Sequence, residues 1–486
     1  MALQTEVRTL PTLIGGEFRG ARAGETIDTL NPATGEVIAR FPRCRDEDVD
    51  DAVRAAEKAF ATWRHTTPLE RAGLVLKLTA AIDQHADELA MLDVAENGSP
   101  IREMRNDARI AIATMRYFAG VALELRGETI PIDPTRLNYT LMQPFGVVGR
   151  IIPFNHPLMF AARQMTAPLI AGNTVVLKPS EHTSMSAIRL AELANEIFPP
   201  GVVNVVTGYG PEAGDALVTH PVARRIAFTG SAEIGRSIQQ RASTHVVKTV
   251  TLELGGKNPI VVFPDADLDQ AIDGALRGMN FTWQGQSCGS TSRLLVHRRL
   301  HADFVDRLAE RMDGLRSGMP EDETTEIGAI VHRRQYEKVL SYIALGHEEG
   351  ARLVVGGGPP GDPALTRGMF VRPTLFDDVR PDSRLAQEEI FGPVLAAMTF
   401  ETYDEALRIA NGISLGLSAS VFTRDLATAH RFARDIEAGY VWVNDSSRHF
   451  PGTSFGGFKD SGVGREEGFE ELVSYSQLKN VNVLFD

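Results

Sequence analysis

The sequence predicts a mixed α/β protein in which helices cover parallel sheets. Short runs rich in β-branched residues end in Pro, Gly or Asn and alternate with amphipathic stretches over most of the chain. This alternation is typical of parallel sheets with helices on their faces. The length allows for about three domains. Ligands of such sheets bind at the carboxyl ends of the strands, so residues that follow a strand are the first candidates for a site.

The first part of the chain is predicted to be helical. Residues 46–64 begin with acidic residues and carry apolar residues at helical spacing, and residues 69–97 continue this pattern as one or two helices. Residues 136–151 alternate like an extended strand or hairpin. From Val147 onward strands and helices alternate, with a helix predicted over 186–198. The strand-like runs are GVVGRIIPF, NTVVLKP, VVNVVTG, RRIAFTG and NPIVVFP.

A second α/β series follows Cys288 and is consistent with a second α/β domain that carries this residue. The series lies at 293–312, 403–412 and 428–444. The C-terminal residues 474–485 are again strand-like. We expect this strand and the one in 136–151 to lack a sheet of their own and to add to a neighbouring subunit.

Composition and charge narrow the class of protein. A net charge of −13 argues against nucleic acid or an anionic membrane as the main partner. Two cysteines exclude a disulfide framework, and no apolar run approaches the roughly 20 residues that cross a bilayer. The start of the chain lacks the pattern of a secretory signal. These features predict a cytoplasmic protein.

Cys288, in the segment GQSCGS, is the first candidate for chemistry. Gly285 and Gly289 let the backbone turn tightly and let a substrate approach the sulfur. Only a thiolate attacks carbonyl carbon well near neutral pH, so this cysteine is a candidate nucleophile. The alternative is a small buried hydrophobic residue, as most free cysteines are. The other cysteine, Cys44, lies in a charged stretch that suggests no chemistry.

A cysteine nucleophile needs a donor for the oxyanion and a base for water. Asn155 follows a strand-like run and offers a neutral amide with two N–H groups, although an Asn near a proline can simply form a turn. Glu253, in TLELGGKNP, ends another strand-like run. A carboxylate in apolar surroundings has a raised pKa and can act as a general base. The alternative for Glu253 is a solvated loop acid.

Two turns are candidates for binding a nucleotide: a glycine-rich turn could hold a phosphate, and a turn with charged residues could hold a sugar. In AFTGSAEIG, Gly230, Ser231 and Gly235 would let backbone N–H groups face a phosphate at a helix N-terminus, although the segment departs from G-x-G-x-x-G. In VVLKPSEHT, Lys178 and Glu181 end another strand and could hold ribose hydroxyls. The alternatives are a bare glycine turn and an ordinary exposed charged loop.

A third segment, QEEIFGPV, carries an acid and an aromatic ring two residues apart. Glu389 could hold a sugar hydroxyl, and Phe391 could flank a flat ring. The alternative is a helix end that is followed by a Gly-Pro turn.

Taken together, these segments resemble those of the NAD(P)-dependent aldehyde dehydrogenase superfamily. They occur in that family's order over essentially the whole chain, as PFN, KPSE, FTGS, ELGGK, GQSC, EEIFGPV and SFGGFKDSGVGRE. The succession of ELGGK and GQSC is highly specific. The resemblance implies a Rossmann-like cofactor domain, an α/β catalytic domain and a β-hairpin oligomerisation element, that is, the aldehyde dehydrogenase fold. It also implies self-association as a dimer or tetramer.

The resemblance divides the chain into three parts. The implied NAD(P)-binding domain comprises residues 1–122 and 145–254, and the implied catalytic domain, which carries Cys288, comprises residues 255–456. The implied oligomerisation or bridging segments are 123–144 and 457–486.

The resemblance also implies a role for each motif residue. Cys288 is the implied nucleophile and Glu253 the implied general base, and Asn155 with the backbone N–H of Cys288 forms the implied oxyanion hole. Lys178 and Glu181 would hold the adenine ribose. The full set implied to bind the cofactor is Ile152, Pro153, Phe154, Lys178, Ser180, Glu181, Gly210, Gly230, Ser231, Leu254, Glu389 and Phe391. Of these, Gly230 and Ser231 form the pyrophosphate turn, and Glu389 and Phe391 the nicotinamide-ribose clamp.

The implied reaction is oxidation of an aldehyde to the carboxylic acid, through a Cys288 thiohemiacetal and a thioester that Glu253-activated water hydrolyses. NAD is the expected cofactor, because the Glu181 carboxylate repels a 2′-phosphate, while Lys178 leaves NADP open. No metal is implied. Phe154 stands where the family often has Trp, which keeps an aromatic face.

Two alternatives to this reaction remain. A coenzyme-A-acylating semialdehyde dehydrogenase would usually lack the base in ELGGK, whereas Glu253 is present. A non-catalytic, NAD-binding structural protein would be expected to have lost the Cys, the Glu or the Asn, and all three are present.

The substrate is the open question. Arg163 stands where many members have Trp, and members that act on succinic semialdehyde or benzaldehydes often have Arg there. Arg448 and His449 follow Asn444 in a loop that borders the substrate entrance in relatives, and His156 follows Asn155. We hypothesise that Arg163, alone or with Arg448, favours an anionic semialdehyde or an aromatic or otherwise polar aldehyde. The alternative is that Arg163 pairs with a structural acid.

Overall fold

The structure is a computed structural model that describes residues 7–485. Its strands form one sheet of eight, one sheet of seven and three small sheets. No helix within the described residues is long and apolar enough to cross a membrane.

Residues 7–144 supply short strands and four long helices. The strands are β1 (Arg8–Thr9), β2 (Thr12–Ile14), β3 (Glu17–Arg19), β4 (Thr26–Leu30), β5 (Val37–Pro42), β6 (Thr129–Asp133) and β7 (Arg136–Pro144). The helices are α1 (Asp46–Trp63), α2 (Pro68–Gln84), α3 (Ala86–Asn97) and α4 (Ile101–Gly120). The helices predicted over 46–64 and 69–97 are thus confirmed, the second as a pair.

Residues 147–253 alternate strand and helix. The strands are β8 (Val147–Ile151), β9 (Thr174–Lys178), β10 (Val203–Val205), β11 (Ala223–Thr229) and β12 (Thr249–Glu253). The helices are α5 (Pro157–Ile170), α6 (Met185–Asn195), α7 (Asp215–Thr219) and α8 (Ala232–Ala242). Helix α5 is buried along its whole length, so each polar side chain on it must find a partner inside the protein.

The second α/β series runs from residue 259 to residue 443. Its strands are β13 (Pro259–Val262), β14 (Arg293–His297), β15 (Arg352–Val355), β16 (Thr374–Asp377), β17 (Val394–Phe400), β18 (Leu415–Gly416), β19 (Ser418–Phe422) and β20 (Tyr440–Val443). Its helices are α9 (Leu268–Gly278), α10 (Arg298–Asp313), α11 (Arg333–Glu348), α12 (Arg384–Gln387), α13 (Tyr403–Asn411) and α14 (Leu426–Asp435). The C-terminal part adds β21 (Phe458–Lys459), β22 (Gly462–Val463), α15 (Phe469–Ser474) and β23 (Ser476–Leu484).

The eight-stranded sheet has the order β22-β12-β11-β8-β9-β10-β2-β3. Strands β8 to β12 run parallel, whereas β22, β2 and β3 are antiparallel additions at the two edges. The carboxyl ends of the five parallel strands therefore lie at one edge of the sheet. Strand β22 joins this sheet although 457–486 was predicted only as an oligomerisation or bridging segment.

The seven-stranded sheet has the order β15-β16-β17-β14-β13-β19-β20 and is parallel except for β15. Each large sheet is covered by helices, and its inward side chains form separate apolar cores. The predicted α/β architecture with parallel sheets is therefore confirmed.

The two strands that were expected to lack a sheet pair with each other. Strand β23 runs antiparallel to β7 from Ser476 opposite Pro144 to Leu484 opposite Arg136, and β6 completes this three-stranded sheet. The segment 136–151 is not one strand or hairpin, because its second half enters the eight-stranded sheet as β8. Gly146, with a φ of +118°, provides the bend between the two sheets.

The small sheet exposes apolar side chains to solvent. Leu478 is 67% exposed and Leu484 is 62% exposed. A strand edge and face of this kind suit contact with a second copy of the chain. Self-association through this sheet stays a prediction.

Candidate active site

The residues expected to bind the cofactor cluster at the carboxyl edge of the eight-stranded sheet. Ile152, Pro153 and Phe154 follow β8, Lys178 ends β9 and is followed by Ser180 and Glu181, Gly210 follows β10, Gly230 and Ser231 follow β11, and Leu254 follows β12. These positions are far apart in the sequence, and the parallel register of the strands brings them to one edge. This is the place where open α/β sheets bind ligands.

Lys178 and Glu181 form a nearly buried pair at this edge. Their Nζ and Oε2 atoms lie 3.2 Å apart. Burial lowers the pKa of Lys178. Burial also acts to raise the pKa of Glu181, but the Lys178 ammonium holds it below its usual value. A donor beside an acceptor suits the vicinal hydroxyls of a ribose, so the pair fits the cofactor that the sequence implies.

Ser231 begins helix α8 at the same edge. Its Oγ accepts a hydrogen bond from the N–H of Ile234 at 3.4 Å and caps the helix. The N–H of Gly230 is already donated to the carbonyl of Glu253. The N–H of Ser231 has no partner among the described residues. The positive end of α8 and this free donor fit a pyrophosphate.

Glu389 and Phe391 come from the other large sheet and meet the first one. Glu389 accepts a hydrogen bond from the N–H of Gly256 at 2.9 Å, and burial raises its pKa. The Phe391 ring lies edge-on to Phe154, with 5.7 Å between ring centroids. Both residues of the expected nicotinamide-ribose clamp thus precede β17, and they contact residues that follow β12 and β8 of the first sheet.

Two histidines beside this clamp were not singled out in the sequence. The His182 and His332 rings stack with 4.1 Å between centroids, and His332 lies 5.4 Å from the Phe154 ring. Burial, with a smaller contribution from the His182 charge, lowers the pKa of His332 to about 3. The pair is therefore a largely uncharged wall of the cofactor edge at neutral pH.

Cys288 lies on the loop that leads into β14. Its carbonyl accepts a hydrogen bond from the side-chain amide of Asn258 at 2.7 Å, and the same amide holds the carbonyl of Ser290. Gly285 has a φ of +66°, and a Cβ there would lie 2.3 Å from the Gly392 carbonyl oxygen, so the tight turn expected at Gly285 is confirmed. The backbone N–H of Cys288 has no partner among the described residues and is free for a ligand.

Cys288 and Glu253 line one cavity of about 540 Å³. Both carboxylate oxygens of Glu253 are buried, and neither has a hydrogen-bond partner within residues 7–485. Burial, and next the charge of Glu466, raise the pKa of Glu253 well above its usual value. Burial, and then the charges of Glu389 and Glu253, raise the pKa of the Cys288 thiol to about 12.

Asn155 is buried and is not among the residues that line this cavity. The side-chain amide of Asn97 donates to the carbonyls of Phe154, at 2.6 Å, and of Asn155, at 3.4 Å, and so fixes the loop after β8. The side-chain amide of Asn155 makes no hydrogen bond to the described residues. The next residue, His156, is one of those that line the cavity.

Arg163 lies in the cavity wall on the buried helix α5 and is paired with acids. Its guanidinium bonds to Glu467 and lies 3.5 Å from Glu466, and it stacks over the Phe160 ring. His449 also contacts Glu467, at 3.1 Å. Burial acts to raise the pKa of Glu467, but the charges of His449 and Arg163 lower it to about 2.

Arg448 points away from the cavity. Its side chain is largely exposed and lies 3.7 Å from Asp445, and its carbonyl accepts a hydrogen bond from the Trp442 indole. It is not among the residues that line the cavity. A substrate role for Arg163, Arg448 or His449 stays a prediction.

A second buried arginine, Arg150, pairs with two buried acids, Glu466 and Glu471. Arg150 is fully buried and lies 2.9 Å from Glu466 and 3.5 Å from Glu471. The side-chain amide of Gln164 also donates to Glu466, at 2.9 Å. Arg150 and Gln164 therefore fix the position of Glu466, which is also one of the residues that line the cavity.

The substitution Arg150→Met is expected to lower the free energy of unfolding by about 3–5 kcal/mol, because it leaves Glu471 buried without its cation and Glu466 with Arg163 alone. Urea unfolding followed by circular dichroism measures the change. The matched control is Arg434→Met, which removes an exposed pair with Asp435 and is expected to cost less than about 1 kcal/mol. Equal losses in the two variants would contradict the structural role of Arg150.

A sheet edge suited to a dinucleotide thus adjoins a cavity that holds a cysteine and an unpartnered carboxylate. This combination is typical of dinucleotide-dependent oxidoreductases that work through a cysteine.

Comparison with known proteins identifies the family. The profile of the aldehyde dehydrogenase family matches residues 18–481. The chain is 46% identical over 463 residues to aldehyde dehydrogenase tropH of Talaromyces stipitatus, covering 94% of this chain and 90% of that protein. The chain therefore belongs to the aldehyde dehydrogenase family, and the identification made from the sequence is confirmed.

Solved structures give the same result for the fold. The NAD+ complex of an aldehyde dehydrogenase from Bacillus cereus superposes with a TM-score of 0.96 at 41% identity, covering 100% of this chain and 98% of that one. An NAD-dependent aldehyde dehydrogenase from Sinorhizobium meliloti superposes with a TM-score of 0.95 at 42% identity, covering 98% and 95%. The predicted aldehyde dehydrogenase fold is confirmed.

Proposed function

We propose that this protein oxidises an aldehyde to the carboxylic acid with NAD, with Cys288 as the nucleophile and Glu253 as the base that activates water. One observation carries the proposal. The buried carboxylate of Glu253 has no hydrogen-bond partner in the described residues and lines the same cavity as the Cys288 thiol. Buried carboxylates are normally satisfied by the protein, so one that is left open beside a nucleophile is suited to a reactant.

The first half of the reaction forms the carbon–sulfur bond. Because burial raises the pKa of Cys288 to about 12, the thiol must lose its proton on the way to attack, and the nearby Glu253 can receive it. The sulfur adds to the aldehyde carbon, and the carbonyl electron pair moves to oxygen. The free N–H of Cys288 and the Asn155 amide donate to this oxyanion, each contributing about 3 kcal/mol.

The second half releases the acid. Loss of the hydride from carbon restores the carbonyl as a thioester on Cys288. Bound NAD would supply the acceptor for that hydride. Glu253, after it has passed the thiol proton on to solvent, takes a proton from water as the water oxygen attacks the thioester carbon. The carbon–sulfur bond breaks, the Cys288 thiolate departs, and the carboxylic acid leaves the cavity.

A preference for NAD over NADP is expected from the position of Glu181. Its carboxylate accepts from a free ribose 2′-hydroxyl but repels a 2′-phosphate. The substitution Glu181→Ser is expected to raise the ratio of kcat/KM for NADP to that for NAD by about 10- to 100-fold, as measured by initial rates with each cofactor.

The matched control for this variant is Glu192→Ser. Glu192 is half-buried and pairs with Arg189 on helix α6, away from the residues that follow the strands. Its removal is expected to leave the ratio unchanged. A ratio that also stays constant in Glu181→Ser would show that another group sets the cofactor preference.

The cavity also supports a class of substrate. Its walls carry the rings of Phe160, Phe281, Trp283 and Phe455, and its volume is ample for an aromatic ring. The charge of Arg163 is already met by two carboxylates, so an aromatic or polar uncharged aldehyde fits better than an anionic semialdehyde.

A panel of aliphatic, aromatic and carboxylated aldehydes tests the function, with NADH formation as the readout and NAD and NADP compared. Turnover of at least one class is expected. Tight NAD binding without turnover of any aldehyde would instead favour the non-catalytic alternative.

A further inference from the structure

The cavity has a histidine whose orientation is set by a buried carboxylate. His156 lines the cavity, and its Nδ1 lies 2.8 Å from Oδ2 of Asp107, which is fully buried. A carboxylate in this position holds the proton of a neutral imidazole on Nδ1 and fixes the ring. The Nε2 atom is then an acceptor, and it has no hydrogen-bond partner within residues 7–485.

An unused donor lies on the same wall. The ring of Trp283 is 5.6 Å from that of His156, and its Nε1 is buried without a hydrogen-bond partner among the described residues. An indole nitrogen can only donate. The Phe160 ring also lies 5.6 Å from that of His156. Two neighbouring rings that line the cavity therefore each carry a nitrogen without a hydrogen-bond partner among the described residues.

A hydroxyl group is the complement of this pair. It donates one hydrogen bond and accepts others, so it can serve His156 Nε2 and Trp283 Nε1 together. A carboxylate can only accept, and it would lie near the carboxyl groups of Asp107 and Glu103 in the same cavity. A methyl group would leave both polar atoms unpaired, which costs binding free energy.

The arginines of the cavity give no countercharge for an anion. Three arginines line it, and each has an acidic partner within ion-pair distance. The partners are Glu467 and Glu466 for Arg163, Asp445 for Arg277, and Asp273 for Arg311. A substrate carboxylate would have to compete with these pairs, whereas a hydroxyl would not.

We propose that this active site selects hydroxyaldehydes, with the substrate hydroxyl donating to His156 Nε2 and accepting from Trp283 Nε1. The two residues determine specificity and take no part in bond making or breaking. This inference rests on the proposed aldehyde oxidation and narrows its substrate class.

Matched aldehydes that differ in one group test the proposal. The aromatic series carries methyl, hydroxymethyl, methoxymethyl or carboxylate at the meta or para position of benzaldehyde, and the aliphatic series compares hexanal with its terminal hydroxy and carboxylate analogues. The hydroxylated member of at least one series is expected to exceed its methyl, ether and carboxylate partners by about tenfold or more in kcat/KM, mainly through a lower KM.

Two variants separate the acceptor from the donor. His156→Phe removes the acceptor and Trp283→Phe removes the donor, and both keep an aromatic wall. In each, the preference for the hydroxylated aldehyde is expected to fall to within about threefold, mainly through a higher KM for that aldehyde. The matched control is His301→Phe, since His301 forms the same kind of pair with Asp377, at 2.7 Å, but does not line the cavity.

Each outcome decides a different claim. A hydroxyl preference that persists in both variants, no such preference in the wild type, or a carboxylated aldehyde as the best substrate would overturn the hydroxyl site alone. Failure of the wild type to oxidise any aldehyde would overturn the proposed function. Should His156→Phe not fold, inhibition of the wild type by benzyl alcohol and by toluene replaces it, and equal inhibition constants would overturn the hydroxyl site.

Discussion

Replacement of Cys288 by alanine is expected to lower kcat for aldehyde oxidation by at least about 10⁴-fold. No other side chain in the cavity can form the thioester, so the loss is not shared with a second nucleophile. Alanine fits the small site between Gly285 and Gly289, and the residues that follow the strands of the eight-stranded sheet are untouched. NAD affinity, measured by titration of protein fluorescence, should therefore stay within about threefold of the wild type.

The chain supplies its own control in Cys44. This residue is fully buried in an apolar core, and burial raises its pKa to about 11. Cys44→Ala is expected to lower stability slightly and to leave kcat unchanged. Retention of more than about 1% of turnover in Cys288→Ala, or an equal loss in Cys44→Ala, would contradict the assignment of the nucleophile.

Local sequence patterns predicted the helices and strands that form through interactions between residues close together in the chain. The apolar periodicity of 46–64 indicated α1, and the short β-branched runs indicated the parallel strands from β8 to β13. The pairing of β7 with β23 could not be predicted, because the same alternation suits any partner strand. The two-residue strand β22 is too short to have a pattern, and only tertiary contacts place it beside β12.

The same holds for the active site: residues with a local sequence signal could be predicted, and residues that act through distant contacts could not. Cys288 and Glu253 were recognisable because their flanking glycines and strand ends lie beside them in the chain. The partners of Arg163 are distant in sequence: Glu466 ends the last family segment, where it was quoted without a role, and Glu467 lies just beyond that segment. No local sequence pattern pointed to Asp107. Its importance comes from its contact with His156, and the two residues lie on α4 and directly before α5.

The substitution Glu253→Gln is expected to lower kcat by about 10²- to 10⁴-fold, because glutamine cannot take a proton from the thiol or from water. The pH profile gives a second readout. A base works in its ionised form, and burial raises the pKa of Glu253, so the wild-type rate should increase with pH through a range well above that of an ordinary carboxyl group. This increase should disappear in Glu253→Gln.

Glu103→Gln provides the matched control, since Glu103 lines the same cavity and burial also raises its pKa. This variant should keep the rising pH profile, because the rise belongs to the base that faces the thioester. Coenzyme A separates the two possible acceptors of the acyl group. If water is the acceptor, added coenzyme A should neither speed up the wild type nor rescue Glu253→Gln. A rate that instead increases with coenzyme A in both proteins would assign the thioester to an acyl-transfer reaction and remove the need for a base at Glu253.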